Sequence, residues 1–235
     1  MENALITGAT QGIGRSIAIA FAKQGLNLAI CSRKVKDLEQ LKQELLVVNP
    51  SIRVFTRATD CSVKADLLDF ARQSQEQLGF IKVLVNNVGL FIPSKVLDDD
   101  DDTMITQINT NLMPAYELYR FFGKSMAAQG NGHIFNICSA AALHPAINAG
   151  SYSVTKAAMY SLNTVMKLEM QPYSVKVTAL LPGSTLTASW AGMEVHPDRF
   201  IMPDDVAAAV VTAYRMSAGA NVDEIVMKPV LGQLQ

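Results

Sequence analysis

Short apolar runs of strand length alternate with helix-length segments along the whole 235-residue chain. The strand-like runs are Ala4–Thr7, Asn27–Cys31, Arg53–Thr59, Ile81–Asn86, His133–Cys138, Val175–Leu180 and Glu224–Met227. Between them apolar residues recur at helical spacing: Ile13, Ile17, Ala20 and Phe21 before Gly25, then Leu38, Leu41 and Leu45 within Val35–Val48. The same reading predicts helices over Ser62–Leu78, Asp101–Met126, Gly150–Gln171 and Pro203–Met216. Parallel neighbours cannot be joined by tight turns, so each helix serves as a right-handed crossover between two strands. The pattern therefore predicts one α/β domain spanning residues 1–235, a doubly wound parallel sheet of about seven strands with helices on both faces.

Composition narrows the function classes. Hydrophobic residues make up 49% and charged residues 17%, which excludes a disordered chain. Lys plus Arg number 20 against 21 Asp plus Glu, so no net positive field exists to hold a nucleic acid. Three cysteines, at 31, 61 and 138, form no CxxC motif or Cys/His cluster, and the expectation is a reduced protein with no metal site. No apolar run approaches the ~18 residues of a membrane span, and the Met1–Gly8 segment carries no basic leader. A cytoplasmic location is expected. The acidic run Asp98–Asp102 is expected to be a solvated loop whose aspartates cap the next helix.

The turn after the first strand reads Thr7-Gly8-Ala9-Thr10-Gln11-Gly12-Ile13-Gly14. Glycines there allow a sharp turn and let a pyrophosphate approach backbone amides, while the following helix offers its N-terminal dipole. Gly8, Thr10, Gln11, Gly12, Ile13 and Gly14 are candidate cofactor ligands. NAD enzymes of this type place a carboxylate ~20 residues on, against the ribose 2′-hydroxyl. Here that strand ends in Ser32-Arg33-Lys34. A guanidinium suits a 2′-phosphate, so Ser32 and Arg33 point to NADP(H).

Four further motifs follow in order: Asn86-Asn87-Val88-Gly89, Asn111-Leu112, Ser139 thirteen residues before Tyr152-Ser153-Val154-Thr155-Lys156, and Pro182-Gly183 followed by Thr185 and Thr187. Over nearly its whole length the sequence resembles the short-chain dehydrogenase/reductase family, with Val88 where the family usually has Ala. The resemblance implies a Rossmann-like fold, with Asp60 on the adenine, Asn87 and Gly89 at the adenosine ribose, and Pro182, Gly183, Thr185 and Thr187 on the nicotinamide side. It implies Ser139, Tyr152, Lys156 and Asn111 as the catalytic set, and pairing of Gly150–Gln171 and Asp101–Met126 with a second copy, as a homodimer or homotetramer.

Chemistry supports the set independently. Tyr152 and Lys156, four apart on a helix, share one face. A phenol with an ordinary pKa near 10 is a poor acid at neutral pH, and a neighbouring ammonium favours its ionised form. The resemblance then implies that Tyr152 protonates a carbonyl oxygen oriented by Ser139, that Lys156 also holds the nicotinamide ribose, and that Asn111 holds a water feeding protons to Lys156. The resemblance further implies ketone/secondary-alcohol interconversion: the three residues between Tyr152 and Lys156 are fewer than in the family's enoyl reductases, and no room is expected for the large C-terminal substrate domain of its nucleotide-sugar members. Substrate contacts are expected from Leu90–Lys95, from Ala140–Gly150, and from a short lid at about 184–200 holding Trp190, Met193 and His196. Cys138 is read as a packing residue and His144 as satisfied or solvent-facing. The tail Asp223–Pro229 lacks the Gly-Gly of 3-oxoacyl thioester reductases and, with Thr187-Ala188-Ser189-Trp190, looks more like sepiapterin-reductase-like and small-carbonyl reductases. A 3-oxoacyl thioester and a small carbonyl or pterin both remain open, as does a catalytically silent NADP(H)-binding regulator.

Overall fold

The computed structural model describes residues 1–190, 192 and 195–234. Seven strands form one all-parallel sheet: β1 (Asn3–Thr7), β2 (Asn27–Ser32), β3 (Val54–Ala58), β4 (Val83–Asn86), β5 (His133–Ile137), β6 (Lys176–Pro182) and β7 (Glu224–Met227). Their spatial order is β3-β2-β1-β4-β5-β6-β7. The order reverses between β1 and β4, which pair in register from Ala4 on Val83 to Ile6 on Val85. At such a reversal the crossovers leave to opposite faces, opening a crevice beyond the carboxyl ends of the strands.

Among the described residues seven α-helices accompany the sheet. α1 (Gly12–Lys23), α2 (Val35–Val48) and α7 (Pro203–Arg215) cover one face, where Ile17, Phe21, Leu38, Leu45 and Val210 are buried against Ile6, Ile30 and Val85. α3 (Lys64–Leu78), α5 (Met113–Gln129) and α6 (Gly150–Met170) cover the other, closing over Leu5, Leu84, Ile134 and Leu181 with Phe70, Phe122 and Met166. Central strands are covered on both faces, so β1 and β5 are buried at every position, and their polar side chains find partners inside, as Asn136 does with Asn86 and Asn163. Phe21, fully buried, contributes about 2–3 kcal/mol by leaving water.

Two expectations are corrected. The single helix over Asp101–Met126 is two: α4 (Thr103–Asn111) ends at Leu112, and α5 starts beyond it. Pro114, in the first turn of α5, has no N–H for the Thr110 carbonyl, and its ring would strike that carbonyl in a continuous helix. The acidic run does not cap α4 through its side chains: Asp102 stands at the N-cap without a side-chain bond. Asp99 instead accepts the Ser151 hydroxyl at the start of α6.

Candidate active site

All strands point the same way, so residues immediately after six of them converge along one edge of the sheet. Gly8 follows β1, Arg33 follows β2, Asp60 lies just past β3, Asn87 follows β4, Ser139 lies just past β5 and Gly183 follows β6. Parallel topology, not sequence proximity, assembles the site.

The turn after β1 has the form of an anion cradle. Gly8 (φ 64°) and Gly12 (φ 53°) adopt left-handed backbone angles that L side chains rarely take. At Gly14 a Cβ would collide with the Asn87 side chain and the Gly8 carbonyl. The Asn87 amide donates to the Thr7 and Gly8 carbonyls (2.8 and 3.0 Å), and Thr7 Oγ1 accepts the Asn87 and Val88 N–H groups at 3.0 Å each. Asn87 thus braces the loop from the neighbouring strand. Thr10 and Gln11 lie on that loop, and Ile13 and Gly14 follow in the first turn of α1, whose free N–H groups face the strand ends.

Ser32 is half-buried and Arg33 exposed at the end of β2. Asp60 stands close enough for its carboxyl to be held low by bonds from the Ser62 hydroxyl (2.6 Å) and N–H (2.9 Å), with the Arg33 charge adding to the effect. Beneath this end of the site the Cys31 and Cys61 sulfurs lie 3.7 Å apart, and burial pushes the Cys31 thiol up.

The reacting end is built from β4, β5, α4 and α6. One turn of α6 separates Tyr152 from Lys156 and places the Lys156 Nζ 5.7 Å from the phenol ring centroid. Lys156 is only 4% exposed, and its ammonium donates to the Ile137 carbonyl at the end of β5 (3.0 Å). A buried ammonium has three donors and tolerates poor satisfaction badly, so donors remain here for a ligand. Phe91 meets the Tyr152 ring edge-on at 5.0 Å. Ser139 Oγ accepts the Ala141 N–H (3.1 Å), fixing its rotamer where β5 gives way to a short 3-10 turn over Ala140–Ala142.

Asn111, at the end of α4, is buried. Its side chain clasps the Leu90 main chain at both ends, accepting from N–H (2.6 Å) and donating to the carbonyl (2.9 Å), and also reaches Thr155 (3.1 Å). It therefore fixes the Gly89–Leu90 segment beside Lys156. From Gly89, a Cβ would stand 3.4 Å from the Lys156 Nζ and 3.5 Å from Asn111 Oδ1, so a bare backbone there leaves room at the ammonium.

On the far side Pro182 and Gly183 end β6, and the Thr185 hydroxyl donates to the Gly183 carbonyl (2.9 Å). Thr187 packs its methyl towards Gly12, joining the chain after Gly183 to the cradle. Trp190 lies edge-on to Phe200 at 5.2 Å. Met193 lies outside the described residues. His196 is exposed, and His144 is exposed too. Cys138 is buried among apolar neighbours, its thiol pushed up to about 12 by burial, which suits packing rather than acid–base work.

Sequence reasoning missed Gln233. Its side-chain oxygen accepts both the N–H (2.8 Å) and the hydroxyl (3.0 Å) of Ser184, across 49 positions. No motif marks it.

A glycine cradle at the switch point of a parallel sheet, with a buried Lys four residues after a Tyr, defines a dinucleotide-dependent oxidoreductase site. The short chain dehydrogenase family model matches residues 2–196, and the chain belongs to that family. Sepiapterin reductase from Chlorobaculum tepidum is 31% identical, covering 98% of this chain and 97% of its own. An alcohol dehydrogenase from the archaeon Thermococcus sibiricus, solved with 5-hydroxy-NADP, superposes with a TM-score of 0.92 at 27% identity, covering 100% of this chain and 99% of its own. The L-sorbose reductase of Gluconobacter frateurii, solved with NADPH and L-sorbose, gives 0.88 at 25%, covering 96% and 94%. Among the described residues no helix is long and apolar enough to cross a membrane.

Proposed function

We propose that this protein is an NADPH-dependent reductase of small carbonyl compounds, with Tyr152 as proton donor. The observation that carries the reading is the buried Lys156 ammonium, held to the Ile137 carbonyl and ringed by Tyr152, Gly89 and Asn111. A charge buried without a carboxylate beside it needs oxygen acceptors from a ligand, and ribose hydroxyls are such acceptors.

The residues fit NADP(H). Gly8, Thr10, Gln11, Gly12, Ile13 and Gly14 would hold the pyrophosphate, Ser32 and Arg33 the 2′-phosphate, and Asp60, Asn87 and Gly89 the adenosine end. Lys156, Pro182, Gly183, Thr185 and Thr187 would hold the nicotinamide half. When bound, the cofactor supplies the hydride. Ser139 Oγ donates a hydrogen bond to the substrate carbonyl oxygen, and Tyr152 Oη passes its proton to that oxygen as the alcohol forms. Lys156 stabilises the phenolate left behind, and Asn111, by holding Leu90 in place, keeps the wall beside Lys156 fixed.

The substrate class rests on the surroundings of Tyr152. Phe91 stands edge-on against it, offering an aromatic wall to a flat or compact ketone. Sepiapterin reductase being a relative at 31% identity agrees with a small carbonyl or pterin. A 3-oxoacyl thioester is the competing substrate. NADPH oxidation followed at 340 nm with a panel of diketones, pterins and acetoacetyl thioesters separates the two. Activity confined to the thioesters would reverse the substrate assignment, and binding of NADPH without turnover of any carbonyl would make the protein a silent cofactor-binding regulator.

The protein acts as a homo-oligomer. An open apolar groove of about 410 Å³ runs between α5 and α6, lined by Leu112, Tyr116, Ala158, Leu162 and Val165. Tyr116 and Val165 are 39% and 45% exposed there, an arrangement that a second copy of the same helix pair would cover.

A further inference from the structure

Ser184 is the first residue beyond the Pro182-Gly183 corner, and the lid begins with it. The lid is tied at its base: the Ile201 N–H donates to the Ser184 carbonyl (2.9 Å), the Leu186 N–H donates to the Ile201 carbonyl (2.9 Å), and Thr185 bridges Ile201. Those bonds hold one edge of the hinge. Gln233 holds the other. After β7 the chain turns at Pro229–Gly232 and brings the Gln233 side chain back against Gly183. There Gln233 Oε1 accepts the Ser184 N–H and hydroxyl, and the Leu234 N–H donates to Ser184 Oγ at 3.2 Å. A Cβ at Gly183 would collide with the Gln233 amide, so this glycine makes room for the clamp.

We infer that Gln233 is a positioning residue of this enzyme, clamping the lid's hinge at Ser184 and so setting how tightly the carbonyl substrate is held. The inference rests on the reductase reading above. Ser184 is buried whereas Gln233 is exposed. Water can therefore replace the lost acceptor, so removing the side chain changes folding stability little. What water cannot do is fix the angle at which the chain leaves Gly183. Thr187 and Trp190 follow the hinge directly, so loosening it shifts those two side chains while the Ser32–Arg33 end stays as it was.

The clamp is accepted by Oε1, an oxygen that a glutamate also carries, and this gives the test. In Gln233→Ala the KM for the best carbonyl substrate should rise about three- to tenfold, because substrate must then order a hinge that the clamp had already fixed. The kcat and the NADPH Kd should change less than about twofold. Gln233→Glu should recover most of the loss. Hydrogen exchange, which needs no turnover, should show faster exchange at the Ser184–Leu186 amides in Gln233→Ala and wild-type protection in Gln233→Glu. An unchanged KM in Gln233→Ala, or a Gln233→Glu variant no better than Gln233→Ala, overturns the inference. If wild type reduces no carbonyl, the reductase reading fails on its own. Exchange then decides the clamp, and unaltered protection in Gln233→Ala sinks it.

Discussion

On the reading proposed above, cofactor preference rests on one charge at the end of β2, which makes it open to a quantitative test. Arg33 is exposed, and Asp60 with its lowered carboxyl pKa stands within its field. A charge-assisted contact contributes about 1.5–3 kcal/mol. Solvent screening and the opposing Asp60 carboxylate place Arg33 in the lower half of that range, so Arg33→Ala should cost about 1.5–2 kcal/mol, or roughly 10- to 30-fold in NADPH affinity. NADH, which lacks the 2′-phosphate, should lose less than about twofold. Arg33→Asp should go further, repelling the phosphate and offering an acceptor to the ribose hydroxyls, so that preference narrows or inverts. The assay is kcat/KM with both cofactors for wild type and both variants, at two salt concentrations, since a screened contact weakens as salt rises. Equal wild-type efficiency with NADH and NADPH would refute the argument, as would an Arg33→Ala loss of the same size for both.

Tyr152→Phe should lower kcat by roughly 10²–10⁴-fold with NADPH binding retained, because the ring still packs on Phe91 while the proton is gone; a variant keeping a tenth of wild-type rate would remove Tyr152 from its role. Lys156→Ala should differ by weakening NADPH binding as well, a contrast that titration of cofactor fluorescence reads directly. Burial lowers the His133 imidazole from 6.5 to about 3, so between those values the unfolded chain binds a proton that the folded one does not. Stability should therefore fall as pH drops below 6.5, by about 2 kcal/mol at pH 5, and denaturant titrations of His133→Gln should lack that component. Placing a charge in the α5–α6 groove with Val165→Asp should shift the light-scattering mass from a multiple of 25.5 kDa to a single chain, whereas an unchanged mass would move the interface elsewhere.

The linear sequence determined the sheet. Alternation of apolar runs with helix-length segments leaves few ways to bury every strand, and parallel strands then bring the ends after Thr7, Ser32, Asn86 and Pro182 to one edge. The Tyr152–Lys156 pair was legible for a related reason: both sit on one helix, where spacing alone fixes geometry. The break at Leu112 was also written locally, in Pro114, yet a long helical period hides a proline whose only effect is one missing hydrogen bond and a displaced turn. Tertiary structure decided the rest. Asn111 clasps Leu90 across 21 positions, Asn87 braces Gly8 across 79, and Gln233 reaches Ser184 across 49. Each is an ordinary polar residue whose partner is a backbone group, and backbone groups are the same at every position. Only the packing of separate crossovers determines which of them an amide meets.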